Sequence, residues 1–561
     1  MHTMRSWTGT LAAAAAALVV LAAPAGAEVA ATGGGGIGVA APETALGLGT
    51  LSGSYLAARF AGSANDLPSA AVFYRTALER DPGNAQLLDR TVLLKVASGD
   101  VPRAADLSDD LLAMDPDNQV ALMTLAVHRF ASGDVAGARA AIADFDTAGP
   151  LQELSAALLD AWARTAEGDA PAAVAALATL TGPSWYGAFT SLHAGLIADH
   201  AGLTQMSLDH LSEAYATDPT ARRIVDAFAR ALARNGNRER AVNLLQDFAL
   251  LNGDDTFTAP LVQSILAGEI ILPQITAPAA GAGEALFGIG SALGREGGEL
   301  FATGYLQLAR HLAPDNDFIA TSLAGMFERL EQSQAAIDVY AAIPEGSLLR
   351  RKATIQTALN LNVLEREEEG IAALRPLVEA DPTDLEAVIA LGNILRSRRR
   401  FAEAGDVYSV GIDAVNVPDT FWSIFYYRGI TYEQTDRWPL AEADFKRALE
   451  MYPDQPLVLN YLGYSWIDRG EHLDEAIEMV RRAVEQRPED GYIVDSLGWA
   501  YYRLGEYEKA VEHLEKAVSL RPEDPVINDH LGDAYWKVGR RLEAMFQWSH
   551  ARDLDPEPEE L

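Results

Sequence analysis

Ala510 and Ala544 stand 34 residues apart, as do Pro522 and Pro556. The same step relates "SLGWAYYRLGEYEKAVEHLEKAVSLRPED" to "HLGDAYWKVGRRLEAMFQWSHARDLDPE": Leu497 and Gly498 recur as Leu531 and Gly532, Tyr501 as Tyr535, and Leu514 and Ala517 as Trp548 and Ala551. No single feature constrains the fold more. A repeat of this length is one pair of antiparallel helices, and each pair must bury its apolar face against its neighbours. Small residues at Gly498 and Ala510 let the two helices approach, while Leu497, Tyr501 and Leu514 fill the space between them. Gly505 falls where the first helix turns, and Pro522 ends the second.

The register runs upstream through Leu462, Gly463, Ala476, Ala483 and Pro488, then Gly429, Ala441, Phe445, Ala448 and Pro453. Weaker units carry Gly392 and Ala404, Leu374 and Pro382, Ala324 and Ala336, and Gly290, Ala302, Ala309 and Pro314. In the first half the theme returns at Ala70, Tyr74, Ala77 and Pro82, at Ala104 and Pro116, at Ala126 and Ala138, at Ala173 and Leu177, at Gly195 and Pro219, and at Ala229 and Ala241. About fourteen units fit, each predicted to be helical because none contains a period-two apolar run. This is the tetratricopeptide (TPR) signature, and the resemblance implies an all-α TPR superhelical solenoid.

The boundaries follow from the interruptions. Residues 1–27 read as a signal peptide: Arg5, then the apolar "LAAAAAALVVLAA", then "AGA" ending at Ala27. The apolar core is about 13 residues, short of the roughly 20 that span a bilayer. Cleavage before Glu28 would leave an exported chain, periplasmic in a Gram-negative cell, whose only link to membrane is indirect. Residues 28–50, with "GGGGIG", form a flexible leader, 51–253 a degenerate TPR block, 254–282 a linker, 283–558 a second TPR block, and 559–561 an acidic tail. An extended segment is expected at "GEIILPQI" within the linker.

Composition narrows the function. Lys plus Arg number 44 and Asp plus Glu 79, giving a formal net charge of −35, which opposes binding of bare nucleic acid. There are no cysteines, so disulfides, thiolate metal sites and cysteine nucleophiles are excluded, as is a lipidated-cysteine anchor. Gly33, Gly35 and Gly38 spell G-x-G-x-x-G but follow the signal segment, not a strand, and read as spacer. "GIGSALG" from Gly288 falls in a repeat helix, where small residues permit close packing. His193 and His200 share a helix face near His210, yet only Asp199 and Asp209 could supplement them. They read as polar repeat positions, not a metal site. Ser465 in "LGYSWID" has no nucleophile elbow. No cofactor, metal or catalytic residue is assigned.

A repeat scaffold offers a groove instead. In the last four units the positions that face it hold Tyr426, Asn460, Tyr464, Asp495, Trp499, Tyr502, Asp529, Asp533 and Trp536. These aromatics either pack against neighbouring units or hold a peptide, with rings supplying buried area and carboxylates meeting basic side chains. The final unit presents Met545 and Phe546 where its predecessor has Val511 and Glu512, which suggests a docking surface for a second copy or a partner.

Three phrases, "LNYLGYSWIDRGEHLDEAIEMV", "IVDSLGWAYYRLGEYEKAVEHLEKAV" and "INDHLGDAYWKVGRRLEAMFQW", resemble a group of exported proteobacterial TPR proteins. That group includes lipoprotein adaptors which present cell-wall hydrolases to periplasmic carboxyl-terminal-processing proteases. The resemblance implies a non-enzymatic adaptor with protein partners. A scaffold for envelope assembly or exopolysaccharide export is the alternative, and an enzyme with an unrecognised site the remote one.

Overall fold

The computed structural model describes residues 50–63, 66–252, 256–295 and 298–554. The signal segment, nearly all of the leader and the acidic tail lie outside these residues. Among the described residues every regular element is helical: twenty-nine α-helices and one short 3₁₀ turn, Asp419–Phe421. None of these helices is long and apolar enough to cross a membrane.

The chain divides into two compact units, Met1–Asn360 and Leu361–Leu561. In the first, the helices are α1 (Leu51–Ser63), α2 (Leu67–Leu78), α3 (Ala85–Ala97), α4 (Val101–Met114), α5 (Gln119–Ala131), α6 (Val135–Ala143), α7 (Pro150–Ala166), α8 (Ala170–Thr179), α9 (Tyr186–His200), α10 (Thr204–Thr217), α11 (Arg222–Arg234) and α12 (Arg238–Asn252). There follow α13 (Ala259–Leu266), α14 (Pro278–Arg295), α15 (Glu299–Leu312), α16 (Asp317–Arg329), α17 (Ser333–Ala341) and α18 (Arg350–Val363), the last of which runs across the division. The second unit continues with α19 (Glu367–Ala380), α20 (Leu385–Ser397), α21 (Phe401–Ala414), α22 (Ser423–Glu433), α23 (Trp438–Met451), α24 (Pro456–Arg469) and α25 (Leu473–Gln486). It ends with α26 (Gly491–Arg503), α27 (Tyr507–Leu520), α28 (Pro525–Lys537) and α29 (Arg541–Asp553). In order they form fourteen pairs, with α13 the odd helix.

Two local devices set the pairing. Within a pair, the turn carries a left-handed residue at nearly constant spacing: Gly99, Gly133, Gly168, Gly202 and Gly236, then Glu331, Glu365 and Arg399, then Asp436, Gly470, Gly505 and Gly539. A left-handed residue just past the helix end closes the last carbonyls and reverses the chain. Between pairs, a proline two residues ahead of an Asn or Asp stops one helix, and the Asn or Asp caps the next. Asn84, Asn118, Asn316, Asp384, Asp490 and Asp524 each accept from backbone N–H groups of the following first turn.

The segment from Gly268 to Gln274 contains no strand, and Ile270 there is almost fully exposed. Helix α14 begins at Pro278, inside the stretch assigned from sequence to the linker. Its proline opens a helix, where the missing N–H costs nothing, and does not break one.

Unit 1 holds an arrangement that the repeat alone does not imply. The hairpin α14–α15 lies across the first helices of earlier pairs, with α14 on α7 and α9, and α15 on α3 and α5. Gly281 of α14 sits against the indole of Trp162 so closely that a Cβ there would come within 2.4 Å of the ring. Gln307 Nε2 donates to the Ala97 carbonyl (3.1 Å), the Tyr305 and Ser155 hydroxyls meet at 3.2 Å, and His311 meets His128 at 3.2 Å. Arg223 of α11 clamps Glu284 of α14 with two bonds of 2.7 and 2.8 Å. Helix α9 is consequently buried nearly all round, as expected of a helix packed on every face. Unit 1 therefore supplies its own filling for the face that repeat proteins commonly leave open.

Candidate functional site

The last four pairs of unit 2 carry no such insert. Their first helices are α22, α24, α26 and α28, and close packing behind them is set by Gly463. A Cβ at that residue would come 2.8 Å from the Ala476 carbonyl oxygen. The predicted groove residues fall into two groups. Tyr426 packs in an aromatic cluster with Trp422, Tyr427, Phe445 and Tyr461, at ring-centroid separations from 5.4 to 6.2 Å. Burial pushes its hydroxyl pKa up to about 12. It is mostly a packing residue.

Asn460 and Tyr464, one turn apart on α24, begin the second group. Asn460 is half-buried, and its Oδ1 is buried without a hydrogen-bond partner. Burial, followed by the nearby carboxylates of Asp495 and Asp468, raises the Tyr464 hydroxyl to about 12. Asp495 is itself buried and holds His530 Nδ1 at 3.0 and 3.1 Å. Trp499 stacks on His530 at 4.0 Å and on Tyr502 at 4.7 Å, giving a continuous ladder of rings.

Tyr502 is half-buried; burial first, then Asp533, raises its hydroxyl. Asp533 accepts from Trp548 Nε1 (3.2 Å), and Asp529 is exposed. Trp536, 45% exposed, packs at 5.6 Å on Trp548, with the Arg541 guanidinium 5.2 Å above its ring. Burial drives the pKa of His530 down, but Asp495, Asp529 and Asp533 together outweigh it and the net shift is upward. The imidazole is thus held by a carboxylate inside an acidic, ring-lined face.

His530 was not singled out from sequence. It stands directly after Asp529, off the four positions that face the groove, and its spacing to Asp495 gives it a partner only once α26 and α28 are adjacent. Met545 and Phe546 are 59% and 69% exposed on α29, with Leu542 at 84% beside them. The histidines noted in the first half go to separate partners. His193 accepts from Trp162 Nε1 (3.0 Å), His200 Nδ1 meets the Ile275 carbonyl (3.2 Å), and His210 lies 3.7 Å from Glu213. Asp199 pairs with Arg234 at 2.6 Å.

Helix pairs with left-handed turns at this spacing define a tetratricopeptide-type solenoid, and comparison with known families agrees. Residues 498–539 match the family described as "TPR repeat", and residues 95–161, 364–416 and 426–491 match families described as "Tetratricopeptide repeat". The chain is similar to a TPR repeat-containing protein of Pseudomonas aeruginosa, 25% identical over 189 residues. That match covers 34% of this chain and spans about a third (32%) of the relative's length.

Among solved structures, similarity extends to the APC/C Cut9–Hcn1 hetero-tetramer, at 14% identity and a TM-score of 0.37, covering 90% of this chain and 94% of that one. A tetratricopeptide repeat protein from Parabacteroides merdae matches at 15% identity and a TM-score of 0.35, covering 43% of this chain and 93% of its own. Neither likeness carries a function. The TPR repeats imply a scaffold for protein–protein interaction.

Proposed function

We propose that this protein is a non-enzymatic periplasmic adaptor which holds an extended peptide, with apolar and basic side chains, on the face formed by α24, α26 and α28. The observation that carries the reading is the ring ladder His530–Trp499–Tyr502, flanked by exposed Trp536 and Asp529. Stacked rings already in place lose little freedom on binding, and carboxylates around them select cationic side chains. The buried, unpartnered Asn460 Oδ1 is an acceptor for a peptide N–H. Within this reading the partner is a cell-wall enzyme presented to a processing protease, an inference that rests on the resemblance of residues 459–548. A scaffold for envelope assembly or exopolysaccharide export remains the alternative. The exposed Leu542, Met545 and Phe546 extend the contact surface to a second copy or to the partner.

The test is a fluorescein-labelled decapeptide of alternating Lys and Leu, followed by anisotropy. Trp536→Ala should weaken binding by about 2 kcal/mol, the size of an interface aromatic anchor. Thermal unfolding should barely move, because nearly half of the ring is already exposed. Asp529→Lys with Asp533→Lys should slow association most at low salt. Unchanged affinity in Trp536→Ala would remove the groove from the proposal. Export is checked separately: the mature chain should be recovered from the periplasmic fraction with Glu28 as its first residue, and recovery in the cytosol with Met1 intact would exclude the location.

A further inference from the structure

Unit 1 contains a cavity of about 960 Å³ bounded chiefly by α9, α11, α14, α16 and α18. Its volume lies at the upper end of the roughly 300–1,000 Å³ found for ligand sites. Phe189, Phe287 and Phe318 supply apolar wall. Gly288 opens it further, since a Cβ there would come 3.1 Å from the Phe189 ring. The charge is opposite in sign to that of the chain. Five described lining residues are cationic (Arg222, Arg223, Arg295, Arg329 and Lys352) against two acids, Asp218 and Glu328, in a protein of formal net charge −35.

Not all of that charge is on offer. Arg223 holds Glu284, Arg329 lies 3.7 Å from Glu299, and Arg222 sits 3.9 Å over the Phe257 ring. Glu328 is itself engaged, accepting from Asn360 Nδ2 at 2.6 Å. Arg295 and Lys352 are exposed at the mouth and form no ion pair among the described residues. One turn before Arg295 on the same helix face, Ser291 Oγ is buried and has no hydrogen-bond partner. A buried hydroxyl without a partner leaves hydrogen-bonding capacity for an incoming group.

We propose that this cavity binds an acidic peptide segment with apolar side chains. The aromatic wall takes the apolar residues, Arg295 and Lys352 meet carboxylates, and Ser291 donates to a backbone carbonyl. The two unpaired cations come from different helices, α14 and α18, which suits charges spread along a segment better than one headgroup. Unit 1 thus selects acidic chain while the face of unit 2 selects basic chain, and the two sites stand or fall separately.

The probe is a fluorescein-labelled octapeptide of alternating Glu and Phe, titrated by anisotropy into the full-length protein at low salt, with a Lys and Phe octapeptide as counterpart. Saturable binding of the Glu peptide is expected. Arg295→Glu with Lys352→Glu should weaken it about tenfold or more, and Ser291→Ala about threefold. Trp536→Ala should leave it unchanged. Circular dichroism should be preserved in the double variant, because both cations are exposed. The proposal is overturned by no saturation up to roughly 1 mM peptide, or by equal affinity in the double variant. It is also overturned if laurate binds where the peptide does not, which would make the cavity an amphiphile site.

Discussion

Glu284→Ala is expected to destabilise unit 1 by about 3 kcal/mol, the low end of the roughly 3–5 kcal/mol lost when one member of a buried ion pair is removed. The Glu284 side chain is 3% exposed and takes both bonds from Arg223. Removing the carboxylate leaves a guanidinium in a partly apolar wall with only the weaker influence of Asp226 as counter-charge. Arg223 keeps 20% exposure, so it can turn partly to water, and this places the loss at the lower bound. The double change Arg223→Met with Glu284→Leu should recover most of the stability, since matched apolar side chains avoid desolvating two charges. Urea denaturation of the three proteins checks the pattern. A loss below about 1 kcal/mol in the single variant would mean that the pair behaves as a surface salt bridge, and that Arg223 does not hold Glu284 of α14 as described.

The same pair shows what the sequence hides. Helix existence, pairing and turn position were legible because each is local: Pro488 and Asp490, or Gly505 and Ala510, lie within one or two turns of what they organise. The insertion of α14–α15 was not. Gly281, Glu284, Tyr305 and Gln307 each meet partners far away in the chain, and nothing in a 34-residue register distinguishes a pair stacked at the end of a row from one folded across it. Gly281 reads from sequence as linker and Gly288 as an ordinary helix-packing position, whereas in the structure the first accommodates Trp162 and the second opens a cavity.

The groove was half legible for a related reason. Counting helix positions finds the side of α26 and α28 on which Trp499, Tyr502 and Trp536 stand, but not which polar group each meets. Its helix position makes Asp495 a carboxylate available to basic ligands, but in the structure it lies buried against His530. The carboxylate orients a stacked imidazole, and the exposed acidity of this face comes from the later helix, where Asp529 lies. The buried contact between Asp495 and His530 fixes the ladder's position before any ligand arrives, and a fixed ring gains more on contact than a mobile one.

Acid should separate the two units. His193 is buried against Trp162, and desolvation, only partly opposed by the Glu284 charge, lowers its pKa from 6.5 to about 4. The unfolded chain therefore binds a proton between those values that the folded unit 1 refuses, so stability falls as pH drops through 6.5. Going from about pH 7.5 to about pH 5 should cost unit 1 about 2 kcal/mol from this residue. His311 adds in the same direction, its pKa lowered by burial and then by His128. His530 in unit 2 has the opposite sign. Its pKa is raised, so the contribution of its pair with Asp495 is fully present below the unfolded value and is lost only as pH rises through the folded one. Hydrogen exchange, corrected for intrinsic rates, should accordingly show α7, α9 and α14 losing protection at about pH 5 while α26 and α28 keep theirs. His193→Gln retains an acceptor for the Trp162 N–H without a titrating ring, and should remove most of the acid sensitivity of unit 1. If His193→Gln shows the same acid loss as the unmodified protein, the buried imidazole is not its source. If α26 and α28 open before α7 and α9, the signs assigned to the two histidines are wrong.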